Sequence, residues 1–175
     1  MELLQCTKKF ALPYYRQKDL MHGVEHIERL IRKAMEIAKK YEADEELLTL
    51  GAYLHGVIHL DEQGVRMFLH EQDLSPARIR QIIEVAKGSQ KDGMPYSIEA
   101  MILHDAHLLE GGKTFLITKS LVTGTAKGQT LNQTITYIEQ HILGKFHCYL
   151  PECQKTYREK EQFAEEFLMN LTKNL

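Results

Sequence analysis

The sequence predicts an all-α protein, a compact single-domain helical bundle, and three features carry that expectation. Apolar residues recur at helical spacing along nearly all of the 175 residues. Strand-like alternation bounded by hairpin turns is nearly absent, and helix start signals precede most apolar runs. A chain of this length buries enough surface to build a core without covalent staples.

The elements follow in order. A first helix covers much of the stretch before Pro13, and a long one at about 24–41 lines up Ile27, Leu30, Ile31, Ala34 and Ala38 on one face. Asp44 reads as the N-cap of a helix running through Leu47, Leu50, Leu54 and Ile58. Shorter helices are expected at 64–71 and, after the Ser75-Pro76 start signal, at 77–86. Lys91 to Pro95 is a loop. Ser97 caps a helix with the stripe Ile98, Met101, Ile102, Leu108 and Leu109, which the Gly111-Gly112 pair stops. Helices at 114–122 and 131–142 flank a polar loop at 124–129, and a last amphipathic helix follows Pro151. No repeat, low-complexity tract or linker divides the chain. One domain is therefore expected over 1–175, with its core at about 20–142 and a C-terminal helix at about 151–173.

Bulk properties exclude several functions. Lys+Arg 22 against Asp+Glu 24 gives a net charge of -2, which offers no footprint for nucleic acid or an anionic membrane as a main partner. No apolar run approaches the ~20 residues of a bilayer span, and the opening MELLQCTKKF has no signal-peptide core, so the cytoplasm is the expected location. Cys6, Cys148 and Cys153 are an odd set without a CxxC spacing and read as reduced thiols. His147, Cys148 and Cys153 lack the paired short spacing of a structural zinc site.

Asp105 is the most informative residue. At about 100° per residue it falls within the apolar stripe of its helix, between Met101/Ile102 and Leu108/Leu109. A carboxylate facing the core needs compensation, because burial without a partner costs on the order of 4–7 kcal/mol. Two sources are open: a polar network with a nearby His or Lys, or a metal ion. Histidines are at hand, with His22 and His26 spaced i, i+4 and so sharing a helix face, and His55 and His59 repeating that spacing on the next helix. Sets of two His and one Asp suit zinc, iron or manganese and leave positions open for water or substrate. His70, His141 and His147 read as surface residues, and His104 and His107 as solvated or supporting ones on other faces of the Asp105 helix.

Taken together, these segments resemble the HD superfamily of metal-dependent phosphohydrolases. His26-Ile27-Glu28-Arg29-Leu30 is similar to the first-His motif, Ala52 to His59 to the segment carrying the His-Asp pair, and Leu103 to Gly111 to the last-Asp segment. His22 stands where some small bacterial members carry an HDxxH run, and the similarity covers roughly residues 20–173. The resemblance implies an HD-domain-like bundle holding a divalent metal ion (Mn, Fe, Zn, Co or Mg). It implies His26, His55, Asp105 and His22 as the metal group, and His55, Asp105 and His59 as the catalytic group. The implied partner is a small phosphorylated molecule such as a nucleotide, with Lys87 or Lys113 to balance its charge, and a homo-oligomer is left open.

The sequence departs from the pattern at Gly56, where the family has a metal-binding Asp, at Gly23, and at His107, which replaces an acid. Losing a carboxylate ligand weakens metal binding by at least the ~10–100-fold that changes behind the ligands cost. Gly56 is expected to leave a gap, which Asp61 or Glu62 could serve from just past His59, or a single-ion centre of His26, His55 and Asp105 could suffice without it. The rival expectation is a non-catalytic ligand-binding or interaction protein on the same fold; an iron-dependent oxygenase is a third.

Overall fold

The computed structural model describes residues 2–175. The chain forms α1 (Leu3–Tyr15), α2 (Val24–Ala38), α3 (Glu45–Leu54), α4 (Glu62–His70), α5 (Pro76–Gly88), α6 (Ile98–Leu109), α7 (Phe115–Ala126), α8 (Leu131–His141) and α9 (Pro151–Thr172), with no strand among the described residues. No helix of the described residues is long and apolar enough to cross a membrane.

The expected caps form as read. Asp44 accepts from Leu47 N–H, Ser75 from Arg78 N–H and Ser97 from Ala100 N–H, each satisfying an amide that the first helical turn leaves free. Thr130 and Gln133 close a reciprocal capping box on α8. Gly111 and Gly112 end the chain's run through α6 at φ 71° and 76°, a conformation glycine adopts without a Cβ penalty.

Several boundaries differ from expectation, and α2 stops at Ala38, three residues short of its expected end. Pro13 lies inside α1, which runs on to Tyr15. A proline forfeits one helical hydrogen bond, but the added turn is anchored by the Tyr15 hydroxyl, which accepts from Gly56 N–H at 2.9 Å. Helix α3 stops at Leu54 and residues 55–60 are turns, so His55 and His59 share no helical face. The stretch at 124–126 continues α7 instead of opening the loop.

Packing explains where a site can form. Helix α2 lies against α3 and α6, while α3 is enclosed by α1, α2, α5 and α6. Their apolar faces, with Leu30, Leu48, Leu50, Leu54, Ile82 and Ile102 fully buried, make the main core. Each such side chain contributes roughly 1.5–3 kcal/mol of burial. Leu116, Ile117, Ile135, Ile138, Ala164 and Leu168 form a second, smaller core among α7, α8 and α9. A cleft opens where the C-terminal end of α6 meets that second core.

Candidate functional site

Three helices bring three histidines together. His26 sits in the first turn of α2, His55 immediately follows α3, and His107 lies in the last turn of α6. Their ring centroids are 5.1, 5.3 and 5.5 Å apart, close to an equilateral triangle. One ring nitrogen of each lies within 4.8 Å of the other two. His26 and His55 are 2% and 3% exposed.

The neighbours of the rings set which nitrogen is free. His55 Nδ1 lies 2.6 Å from the Ala52 carbonyl oxygen, His107 Nδ1 lies 3.1 Å from the Ser89 carbonyl oxygen, and His26 Nδ1 lies 2.9 Å from Glu110 Oε1. Carbonyls only accept, so Nδ1 carries the proton in His55 and His107 and Nε2 keeps its lone pair. A proton on His26 Nδ1 is the form that suits the facing Glu110 carboxylate, although the contact is not aligned as a hydrogen bond. Burial holds the pKa of His26 down to about 4, and of His55 and His107 well below the ordinary imidazole value, so the rings are neutral. His26 Nε2 and His55 Nε2 then face each other at 3.1 Å. Two lone pairs at that separation repel unless they share a cation.

The donor set therefore fits a metal. Two nitrogens at 2.0–2.1 Å from one tetrahedral ion stand about 3.3 Å apart, near the observed spacing. The partners on the Nδ1 side are also those that orient metal-binding histidines. Glu110 is the strongest of them. It is 1% exposed and receives Arg29 Nε at 2.7 Å and Lys119 Nζ at 2.9 Å. Burial opposes its charge, but His26 and Lys119 hold its pKa below the usual carboxylate range.

Asp105 is not part of this group, which corrects the expectation drawn from its helix face. It is 0% exposed as expected, but it points to the opposite flank of α6. Its oxygens accept from Tyr149 N–H at 2.9 Å and Leu150 N–H at 2.8 Å, and His104 Nδ1 lies 3.0 Å away. The buried carboxylate is compensated by a polar network that pins the segment entering α9. His107, two residues on, occupies the place assigned to it.

The remaining expected residues divide. His22 lies in the turn before α2, beside the triad, its ring 6.1 Å from that of His26 and its Nδ1 2.9 Å from both Asp19 oxygens. His59 is exposed in the turn after α3 and joins nothing in the site. Asp61 caps α4 and accepts from the Tyr14 hydroxyl, and Glu62 pairs with Arg66 and Lys87. Gly56 leaves no gap either. A Cβ there would stand 2.6 Å from both Lys18 Nζ and the Tyr15 hydroxyl. His104, expected near the surface, is buried against Asp105.

The cleft beside the triad has a volume of about 210 Å³. Its wall carries His22, His107, Lys91, Lys119, Lys127 and Lys160, with Glu110 as the acid among them. Lys87 and Lys113, the expected phosphate partners, are instead paired with Glu62 and Glu159 outside it. Burial pushes Lys91 and Lys160 down to about 8. Lys160 Nζ is held by the carbonyls of Leu108 and Glu110, whereas no carboxylate of the described residues pairs with Lys91. Thr123, also on the wall, has a buried hydroxyl without a partner. Cations gathered without matching acids make a site for an anion.

Solved structures resemble this one over its whole length. A protein from Lactobacillus plantarum superposes with a TM-score of 0.82 at 16% identity, covering 98% of this chain and 95% of its own. An HD-superfamily hydrolase from Bacillus thuringiensis superposes with a TM-score of 0.73 at 16% identity, covering 98% and 95%. The chain has the HD-domain fold. Bacillus subtilis YpgQ, solved in complex with ADP, is a further neighbour with a TM-score of 0.72 at 17% identity over 97% of each chain. No protein-family model matches the sequence, and no curated protein matches it.

Proposed function

We propose that this protein is a metal-dependent phosphohydrolase acting on a nucleotide or another small phosphate ester. One observation carries the reading: a ring nitrogen from each of His26, His55 and His107 lies within 4.8 Å of the other two, and His107 also lines a cleft carrying four lysines and one carboxylate. The name of the Bacillus thuringiensis hydrolase and the ADP held by YpgQ support the same direction.

His26, His55 and His107 would hold a divalent ion, which supplies a Lewis acid for a phosphoryl oxygen and acidifies water. Lys91 and Lys119 place positive charge along the cleft for the phosphate, and the buried setting strengthens that attraction relative to water. His22, on the cleft wall, has the geometry of a proton acceptor: its Nδ1–H donates to the Asp19 carboxylate, which leaves Nε2 as the ring's free nitrogen. Arg29 and Lys119 keep Glu110 ionised, and Glu110 keeps His26 in the tautomer whose Nε2 binds.

The test is phosphate or pyrophosphate release from a panel of nucleoside mono-, di- and triphosphates and small phosphate esters, with metal-loaded protein. Turnover is expected, abolished by His55→Ala. Folded, metal-loaded protein that releases nothing across the panel overturns the proposal. That result would favour a ligand-binding protein without turnover, a reading supported by the ammonium of Lys18 beside Gly56.

A further inference from the structure

Three imidazoles alone do not fix which ion binds or how many, and the placement of the acids around them decides both. Magnesium and manganese prefer oxygen donors, and sites for two ions use carboxylates to hold them. Each acid near the triad is otherwise engaged. Asp105 is held by the amides of Tyr149 and Leu150. Asp61 caps α4. Asp19 is occupied by His22 Nδ1 and Met21 N–H. Glu110 faces the Nδ1 side of His26, away from the free nitrogens.

The flank of His55 where a further acid would stand carries a cation. Lys18 Nζ donates to the Gly56 carbonyl at 2.7 Å, and the Tyr15 hydroxyl closes the same space. An ammonium there repels a second metal ion.

We propose that the triad is an all-nitrogen site for a single ion, selecting zinc-class ions over manganese and magnesium, with Lys18 excluding a second ion. This rests on the reading that the triad binds metal, but not on catalysis. Neutral imidazoles follow the general affinity order in which zinc and cobalt exceed manganese, with no carboxylate to offset it. The bound dication stays uncompensated by any acidic ligand, so its remaining position suits an anionic oxygen from the cleft.

The experiment is competition dialysis of metal-stripped full chain against equimolar Zn²⁺, Co²⁺, Mn²⁺ and Mg²⁺, followed by elemental analysis, with Co²⁺ titration monitored by absorption. One ion per chain is expected, with zinc favoured over manganese by about 100-fold or more, and a Co²⁺ absorption band that saturates at one equivalent. His107→Asp should narrow the zinc-to-manganese ratio, and Lys18→Ala should leave the first equivalent bound. Two equivalents, or manganese retained as well as zinc, overturns the inference even if the protein turns substrate over. A single zinc with no turnover upholds it while the hydrolase reading falls. No bound ion of any kind overturns both.

Discussion

Replacing Asp105 with alanine should remove much of the protein's stability margin and leave the proposed metal site of His26, His55 and His107 intact. The carboxylate takes two backbone N–H groups, Tyr149 at 2.9 Å and Leu150 at 2.8 Å. Removing it orphans both, and each buried unsatisfied donor costs about 1–3 kcal/mol. The Tyr149 amide is partly accessible, so its share lies at the low end, and a total of about 2–5 kcal/mol follows. Native domains hold only ~5–15 kcal/mol, so urea unfolding should move by roughly 1–2.5 M at a slope of about 2 kcal/mol/M. Asp105→Asn retains one acceptor but turns an NH₂ toward the other amide, and its loss should fall between wild type and alanine. Metal content per folded chain should stay that of wild type in both variants. A variant that keeps its urea midpoint and loses its ion would refute the reasoning and make Asp105 a ligand.

Three further outcomes follow from the same geometry. Gly56→Asp should cost about 1–3 kcal/mol by overpacking against the buried Tyr15 hydroxyl, and a urea midpoint at or above that of wild type would show the space to be free. Acid should destabilise the metal-free protein: the His26 pKa falls from 6.5 to about 4 on folding, so its stabilisation is complete above pH 6.5 and is lost as pH drops toward 4. Unfolding curves at pH 7, 5.5 and 4.5 should record a loss of about 2 kcal/mol from this residue over that range, and a flat profile would contradict neutral buried rings. Lys91→Gln should weaken ADP binding by about 10-fold, or ~1.4 kcal/mol, in calorimetric titration, whereas Lys87→Gln, whose lysine pairs with Glu62, should not; equal effects would place the anion elsewhere.

Much of the architecture was legible in the sequence because it rests on local rules. Asp44, Ser75 and Ser97 cap their helices through hydrogen bonds three residues away, and the glycine pair stops α6 through its own backbone freedom. The burial of Asp105 was legible too. Its partner was not, since the amides it binds lie 44 and 45 residues away, at a chain crossing that no spacing encodes. Helix α6 is buried on nearly all sides, so an apolar stripe identifies no single inward face, and His107 passed for a surface residue. The signal that would have found it is Glu110, an acid one turn later at the glycine stop, placed to orient a histidine on α2. Lys91 and Lys160 were hidden for a similar reason: their cleft is assembled by α7, α8 and α9 closing over the end of α6.

The ion's position separates these readings. Crystals grown with one equivalent of Zn²⁺, measured on either side of the zinc absorption edge, should show a single anomalous peak among the Nε2 atoms of His26, His55 and His107. A peak at the Asp105 carboxylate, or none at the triad, would contradict the metal site described above.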